Sequence, residues 1–183
     1  MTRALWLCVL LMSAAPPVHA SGIFMPDDRL LLQTSLWTRH FNPEPDHNNR
    51  QDLIGIEWQA PRSVRFDWQE DSAAVDRMPW LRDVSWVAGA ASFRNSFSQR
   101  STYVYGGARY DLHTGDKTRL YAKLTAGLLH GYRGEYRDKI PFNRHGVAPV
   151  ILPAFGIDYR RVNLEMIPFG ASGVMFNVGF YLN

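Results

Sequence analysis

His40 and Ser96 are the two residues of the sequence best suited to chemistry on an ester or a hydroxyl group. A histidine acts as a general base near neutral pH. A serine hydroxyl acts as a nucleophile or as a hydrogen-bond donor to an oxyanion. Each residue also has an ordinary interpretation, because a histidine beside a strand end is commonly solvated and Asn95-Ser96 is good turn sequence. The two residues are therefore candidates, and the segments around them decide whether they meet.

Motifs of the common soluble enzymes do not accompany these candidates. Ser96 has no Gly-x-Ser-x-Gly elbow around it, and the sequence has no glycine-rich phosphate loop. The single cysteine, Cys8, lies in the leader described next, so neither a disulfide nor a thiolate site is expected. Metal-ligand spacing is also lacking among the other histidines outside the leader, which are His47, His113, His130 and His145. We therefore expect no metal and no cofactor.

Residues 1–20 have the pattern of a secretory signal peptide. Arg3 precedes the apolar run 4–15, and Val18-His19-Ala20 forms a small-x-small cleavage site. The run is too short to cross a bilayer as a helix, although an uncleaved anchor is the alternative. Cleavage before Ser21 leaves one domain, residues 21–183. With 20 basic and 17 acidic residues in the whole chain, the charge does not predict nucleic-acid binding.

Alternating apolar and polar residues run through the rest of the chain and predict strands. In residues 118–130, Leu120, Leu124 and Leu128 fall on one face, whereas Tyr121 and Lys123 fall on the other. The eight predicted strands are 29–41, 50–59, 84–95, 101–111, 118–130, 149–159, 161–169 and 173–183. The long connection 60–83 is predicted to hold an extra hairpin or a strand extension around residues 63–68.

Two folds fit this pattern, a soluble barrel or sandwich and a membrane barrel with a polar interior. The signal peptide, the 13% of aromatic residues and a strand at the C-terminus favour the membrane barrel. Strands can span lipid only as a closed barrel. We predict an all-β, eight-stranded antiparallel transmembrane β-barrel, monomeric and located in the bacterial outer membrane. Because the first and third strands would end at the same outer rim, His40 should lie near Asn95 and Ser96.

Five short motifs resemble those of the PagP-type lipid A palmitoyltransferases, which are eight-stranded outer-membrane enzymes. They are residues 93–97 (FRNSF, FKDSW in the family), 104–108 (VYGGA, AGYGW), 125–128 (TAGL, TAGV), 149–153 (PVILP, PVLLP) and 166–168 (MIP, YIP). Each motif is short, but all five follow the family's order with fitting separations through most of the mature chain. The chain therefore resembles a divergent member of this family.

The departures from the family concern the site itself. The family's active-site histidine lies in WHARF, whereas residues 37–41 read WTRHF here. Thr38 stands in the histidine column, and His40 lies two residues further on the same strand face. The family's aspartate is Asn95, which is not a carboxylate and is expected to donate to an oxyanion or to orient His40. The family's N-terminal amphipathic helix is missing, and the last residue is Asn183 rather than Phe.

The resemblance implies an acyltransferase that moves a palmitoyl chain from a phospholipid to lipid A of lipopolysaccharide. His40 would activate a lipid A hydroxyl, and Ser96 and Asn95 would stabilise the oxyanion. A direct transfer and an acyl-serine route are both open. The alternatives are an outer-membrane lipid A deacylase or phospholipase, which transfers the acyl group to water, and a small barrel without enzymatic activity.

Four further residues are implied in binding the lipid substrate. Pro153 and Pro168 would flank a lateral entrance, because proline removes a ladder hydrogen bond; each could also simply mark a strand end. Tyr105 and Gly107 share one face of the fourth predicted strand, which is expected to point inward. Gly107 would then form the floor of the acyl pocket, where the absence of a side chain leaves room for the methyl end.

Overall fold

The computed structural model describes residues 18–20, 26–61 and 64–183. Most of the predicted leader lies outside these residues. The strands of the described part are β1 Val18–Ala20, β2 Arg29–His40, β3 Ile54–Ala60, β4 Val64–Phe66, β5 Ser85–Arg94, β6 Arg100–Thr114, β7 Thr118–His130, β8 Val147–Tyr159, β9 Val162–Pro168 and β10 Gly173–Tyr181. Eight of them form one closed barrel in the order β10-β2-β3-β5-β6-β7-β8-β9.

Every neighbouring pair in this barrel is antiparallel. The predicted fold class is therefore confirmed, and each predicted strand overlaps an observed one. The largest differences are at β3, which begins at Ile54 rather than at residue 50, and at β6, which continues to Thr114. The early residues of the predicted second strand, 50–53, belong instead to the connection after β2. Where an extra hairpin or a strand extension was predicted, around residues 63–68, the structure has the three-residue strand β4, which does not extend a strand of the barrel.

Alternation along the strands separates the two surfaces of the barrel. On β7, Leu124 is 53% exposed and faces outward, whereas the neighbouring Lys123 is 6% exposed and faces the interior. The same pattern gives an apolar exterior on all sides. Its exposed members include Leu32, Leu36, Ile54, Ile56, Val104, Leu112, Leu120, Leu128, Ile151, Phe155, Ile157, Val162, Leu164 and Phe180. Among the described residues, no helix is long and apolar enough to cross a membrane.

One end of the barrel, which we call the outer rim, carries the connections 41–53, 95–99, 131–146 and 169–172. The opposite end, the inner rim, carries the long connection between β3 and β5. This connection contains β4, the short helix α1 Ala73–Arg77 and two single turns of 3₁₀-helix. Buried Gln69 ties it to the barrel, because its amide donates to the Val84 carbonyl (3.1 Å) and accepts from the Trp86 indole (2.7 Å).

β4 pairs with β1, which lies inside the predicted leader. Cleavage before Ser21 would remove this partner and leave β4 held by the rest of the inner-rim connection.

The seam between β8 and β9 is only half paired. It runs from Tyr159 opposite Val162 to Phe155 opposite Met166, and ends there. On its other side β8 is paired with β7 along its whole length. The part of β8 nearest the outer rim therefore has no ladder partner on β9, which leaves the barrel wall weaker at this place.

Candidate functional site

The outer rim brings His40, Ser96 and Asn49 into one hydrogen-bonded chain. His40 Nε2 lies 2.9 Å from Ser96 Oγ, and His40 Nδ1 lies 2.8 Å from the Asn49 amide oxygen. Because an amide oxygen only accepts, Nδ1 carries the proton and Nε2 is free to accept the proton of Ser96. This is the arrangement of a serine nucleophile, a general base and an orienting group.

Local structure fixes the three residues from different parts of the chain. His40 is the last residue of β2 and is held opposite Gly173 of β10. Ser96 lies in the turn after β5. The connection that carries Asn49 is pinned to this turn, because the Asn48 backbone N–H donates to the Ser96 carbonyl at 2.6 Å. The Asn48 amide also donates to the Asn95 carbonyl at 3.2 Å.

Asn95 holds the turn rather than the histidine. Its amide oxygen accepts from the backbone N–H groups of Phe97 (2.9 Å) and Gln99 (3.0 Å). Its amide nitrogen donates to Ser101 Oγ at 3.2 Å. The side chain is 1% exposed and bonds to the turn and to the start of β6, so it orients Ser96 only indirectly. In this arrangement Asn49 occupies the position beside His40 that the sequence suggested for Asn95.

Thr38, which stands in the family's histidine column, lies deeper than His40. It is buried, and its hydroxyl donates to the side-chain oxygen of Gln51. This bond joins β2 to the connection that carries Asn49. The shift of the histidine by two residues along β2 therefore moves it from the barrel wall to the rim, where Ser96 is within reach.

Tyr132 lies near the turn that carries Ser96. It lies in the connection after β7 and its ring is 6.2 Å from that of Phe97. Burial raises the pKa of the Tyr132 phenol, and its interactions with the side chain and backbone of Ser96 oppose that rise. The phenol therefore keeps its proton at neutral pH and can donate a hydrogen bond to charge that develops beside Ser96.

His47 forms the aromatic surroundings of His40. The two imidazole rings lie 4.3 Å apart, and the Phe169 ring lies 5.8 Å from His40 on another side. His47 also belongs, with Glu44 and Asp46, to an exposed group whose ligand atoms lie within 4.8 Å of one another. Acidic groups of this kind are common on surfaces, and we assign it no role.

An apolar chamber lies inside the barrel below this rim. It has a volume of about 80 Å³. Its apolar lining comes from Leu53, Ala91, Phe93, Leu129, Leu152, Ala154, Ile167 and Met175. Phe93 is only three residues before Ser96, so the chamber begins close to the serine. Polar side chains, among them Gln33, Tyr103 and Thr125, complete the lining. The space is smaller than the roughly 300–1,000 Å³ of most ligand pockets, so it holds only a short piece of hydrocarbon unless the barrel widens.

A cluster of buried charges forms the floor of the chamber. Lys123 Nζ lies 2.7 Å from a carboxylate oxygen of Glu57 and 2.7 Å from one of Glu165. Tyr105, which lines the chamber, donates from its hydroxyl to Glu57 at 2.9 Å. Further toward the inner rim, Arg109 pairs with Asp158 at 2.8 Å. The lower interior is therefore filled by polar side chains and is not an open channel.

Gly107 does not line this chamber. It has the inward parity of Tyr105, but a Cβ at this position would collide with the Leu124 carbonyl and the Thr125 backbone of the neighbouring strand. The absence of a side chain thus allows β6 and β7 to approach each other. Of the two residues expected to line the pocket, Tyr105 does so as part of the floor, and Gly107 packs in the wall.

Pro153 and Pro168 flank the unpaired part of the β8–β9 seam. Pro153 lies two residues from Phe155 and Pro168 two residues from Met166, which form the last pair of that ladder. Leu152, Ala154 and Ile167, next to the two prolines, line the apolar chamber. A separation of the strands at this place would connect the chamber to the surrounding lipid.

Comparisons with known proteins give no family for this chain. No protein-family model matches the chain, and no curated protein matches it. Among solved structures, the chain is similar to the outer membrane protein Ail of Yersinia pestis, whose backbone structure was determined in a phospholipid bilayer nanodisc. The identity is 9% and the TM-score 0.36, with 85% of this chain and 100% of that chain covered.

The class of protein follows from the barrel itself. Its eight strands form a closed barrel, its outward side chains are apolar, and its inward side chains are largely polar. These are the features of a transmembrane β-barrel of the bacterial outer membrane. The chain is such a barrel, with a serine and a histidine in hydrogen-bond contact at its outer rim.

Proposed function

We propose that this barrel is an acyltransferase of the outer membrane that moves a palmitoyl chain from a phospholipid to lipid A. The observation that carries the proposal is the hydrogen-bonded chain Ser96–His40–Asn49 directly above an apolar chamber. A nucleophile and a base supply ester chemistry, and the chamber marks where hydrocarbon would enter the barrel next to them, provided that the upper half widens to admit a whole palmitoyl chain. The five motifs of the PagP-type family agree with this proposal.

The hydrogen-bonding pattern favours an acyl-serine route. Ser96 Oγ attacks the ester carbonyl carbon of the phospholipid while His40 Nε2 takes the hydroxyl proton. The tetrahedral oxyanion accepts a hydrogen bond from the Tyr132 phenol. When the intermediate collapses, the ester C–O bond breaks and the leaving lysophospholipid oxygen takes the proton from His40. The acyl chain is then an ester of Ser96.

The second half of the reaction repeats these steps with a different nucleophile. A hydroxyl of lipid A gives its proton to His40 Nε2 and attacks the acyl-serine carbonyl. Collapse of the second tetrahedral intermediate breaks the bond to Ser96 Oγ, which takes the proton back from His40. The products are acylated lipid A and free enzyme. Throughout, Asn49 keeps Nδ1 protonated and Nε2 directed at Ser96.

A lipid hydrolase is the second candidate, and the same chain of residues supports it. Serine, histidine and a neutral orienting amide suffice for ester hydrolysis if water replaces the lipid A hydroxyl in the second half. The product would then be a free fatty acid. The transferase and the hydrolase therefore differ in the acceptor of the acyl chain, lipid A or water, and not in the catalytic residues.

The test uses the refolded full-length mature protein in mixed micelles with lipid A and a phospholipid that carries a labelled palmitoyl chain. Mass spectrometry of the products is expected to show lipid A heavier by one palmitoyl group. Labelled free palmitate without acylated lipid A would support the hydrolase instead. If neither product forms in excess of a protein-free sample, the barrel is not an acyl-transfer enzyme under either proposal.

Two pairs of variants connect the activity to the site. Ser96→Ala and His40→Ala are each expected to lower product formation by roughly 10³-fold or more. The matched controls are Ser98→Gly, in the same turn and at a φ of 61° that glycine accepts, and His113→Ala near the inner rim. Both controls should retain wild-type rates. Equal rates for Ser96→Ala and Ser98→Gly would remove Ser96 from the mechanism.

A further inference from the structure

A second lipid-sized space lies on the outside of the barrel, along the pairing of β2 with β10. It is an open groove of about 510 Å³. Its walls include Trp37 and Phe176, whose rings are stacked at 5.2 Å, and also Val174, Phe41 and Pro43. Trp37 is 50% exposed on the side of the barrel that faces lipid. In a membrane, hydrocarbon chains are the natural occupants of such a surface.

Two polar residues, His40 and Arg39, line this otherwise apolar groove. His40 is among its lining residues, so the groove ends beside the last residue of β2, whose side chain is 7% exposed and lies on the inward face of the strand. Arg39, the adjacent residue, also lines the groove and is exposed. In the part of the chain that the structure describes, the Arg39 guanidinium has no side-chain hydrogen bond or ion pair. A free guanidinium at the end of an apolar groove is complementary to a phosphate attached to an acylated lipid.

We infer that this groove binds the acceptor, a phosphate-bearing acylated glycolipid of the lipid A type, with a phosphate on Arg39 and an acyl chain along Trp37 and Phe176. The inference rests on the proposed function. The donor has a separate place, because the chamber lies inside the barrel wall and the groove outside it. Met175 and Asn177 of β10 line the chamber, whereas Val174 and Phe176 of the same strand line the groove. The two lipids would therefore approach His40 and Ser96 from different sides.

Separate sites have a consequence for the chemistry. The acceptor can be bound while the acyl chain of the donor is still inside the barrel, so the acyl-serine meets a positioned hydroxyl before water. This would favour transfer over hydrolysis at a site whose residues permit both. Arg39 acts in this scheme as a binding residue, since its side chain contacts the acceptor phosphate and not the reacting atoms.

The first experiment measures acceptor binding without catalysis. Native mass spectrometry in detergent micelles follows lipid A on the inactive Ser96→Ala protein, with and without Arg39→Gln. The Kd for bisphosphorylated lipid A should rise roughly tenfold in the Arg39→Gln protein, which is the effect of losing one charge-assisted hydrogen bond. Dephosphorylated lipid A should bind with the same Kd to both. The matched control is Arg100→Gln, which removes an exposed arginine of β6 on another side of the barrel.

A second experiment tests the apolar part of the groove. Val174→Trp adds an indole to the lining of the groove, and the Kd should rise for both forms of lipid A, because the acyl chain loses its place. An unchanged Kd in Val174→Trp and in Arg39→Gln would overturn the inference, as would an equal loss of affinity in Arg100→Gln. This readout does not depend on turnover. If the wild type transfers acyl chains but the groove variants bind lipid A normally, the proposed function stands and only the assignment of the groove is refuted.

Discussion

The two halves of the barrel interior follow the same alternation of inward and outward side chains, but they differ in what the inward side chains do. The upper half contains a small cavity, and the lower half is filled by charged and polar groups. Toward the outer rim, apolar side chains such as Ala91, Phe93 and Leu129 line a small chamber together with polar ones such as Tyr103 and Thr125. Toward the inner rim, Lys123 and Arg109 lie among carboxylates, hydroxyls and amides that fill the space. The upper half leaves room below the serine, whereas the lower half has none.

This difference assigns separate tasks to the two halves. Buried charges are tolerated only when each is paired and hydrogen-bonded, so the lower network fixes the positions of the strands that share it. Tyr121 on β7 illustrates this, since its hydroxyl donates to Glu165 of β9 at 2.7 Å and accepts from Asn163 at 2.8 Å. The lower half thus acts as a rigid plug, and the upper half can open at the β8–β9 seam without losing such bonds.

Removing the central cation should have the largest effect on stability. Lys123→Met leaves the carboxylates of Glu57 and Glu165 buried without their counter-charge, which is expected to cost about 3–5 kcal/mol. Chemical unfolding in micelles, followed by tryptophan fluorescence, measures the loss. Adding Glu57→Gln and Glu165→Gln to this variant should recover part of it, because no unpaired charge is then left. A change below about 1 kcal/mol for Lys123→Met, within the range of ordinary surface substitutions, would contradict the role of the plug.

In the upper half, the expected losses concern activity rather than stability. Asn49→Ala removes the acceptor of the His40 Nδ1 proton, so the imidazole loses its preferred tautomer and orientation. We expect acyl transfer to fall on the order of 10²-fold, which is the usual contribution of a positioned general base. Asn49→Asp keeps an acceptor and should restore most of the rate. If both variants were equally inactive, the loss would come from the loop structure and not from orientation of His40.

Much of the barrel was predictable because it follows from a local rule. A period of two along β7 separates Leu124 from Lys123 whatever the neighbouring strands are, and the same rule places His40 and Ser96 at strand ends on one rim. Asn49 and Tyr132 were not predicted, because both lie in connections, where no periodicity indicates which side chain turns toward the site. Their only signal in the sequence is nearness to a predicted strand end, which many residues share.

Gly107 shows what the period-two alternation of a strand does not predict. Parity correctly places it on the inward face of β6, but parity carries no information about depth or about close approach between strands. The strands of a closed barrel are tilted and staggered, so the level of a residue depends on the register around the whole barrel. The floor of the chamber is thus formed by Tyr105, Lys123 and Glu165 from three strands, and Gly107 is needed where β6 meets the Leu124 carbonyl of β7.

Tyr132→Phe should have a smaller effect than the loss of Asn49. It removes one hydroxyl donor next to Ser96 and keeps the ring, and a hydrogen bond to a charged group contributes about 1.5–3 kcal/mol. We expect a decrease of at least roughly tenfold in kcat, since the bond strengthens only as the oxyanion forms, with KM for the donor nearly unchanged. Tyr136→Phe, in the same connection, is the control. A change confined to KM would instead place Tyr132 in lipid binding.

The smallest effects are expected from filling the chamber, and they test whether it holds the acyl chain at all. Ala91 lies four residues before Asn95 on β5, near the outer rim, whereas Ala154 lies opposite Lys123 at the level of the floor. Met at either position takes up space that methylenes would occupy, and each excluded methylene costs about 0.8 kcal/mol, or roughly fourfold in selectivity. Both variants should therefore prefer shorter donors than the wild type, with the larger shortening in Ala91→Met because it blocks the chain nearer to Ser96. Ala126→Met, which faces outward on β7, should leave the length profile unchanged. The measurement is the rate of acyl transfer with donors of defined chain length. Identical length profiles for Ala91→Met, Ala154→Met and the wild type would mean that the acyl chain lies outside the barrel. The difference between the upper and lower halves of the interior would then have no part in substrate choice.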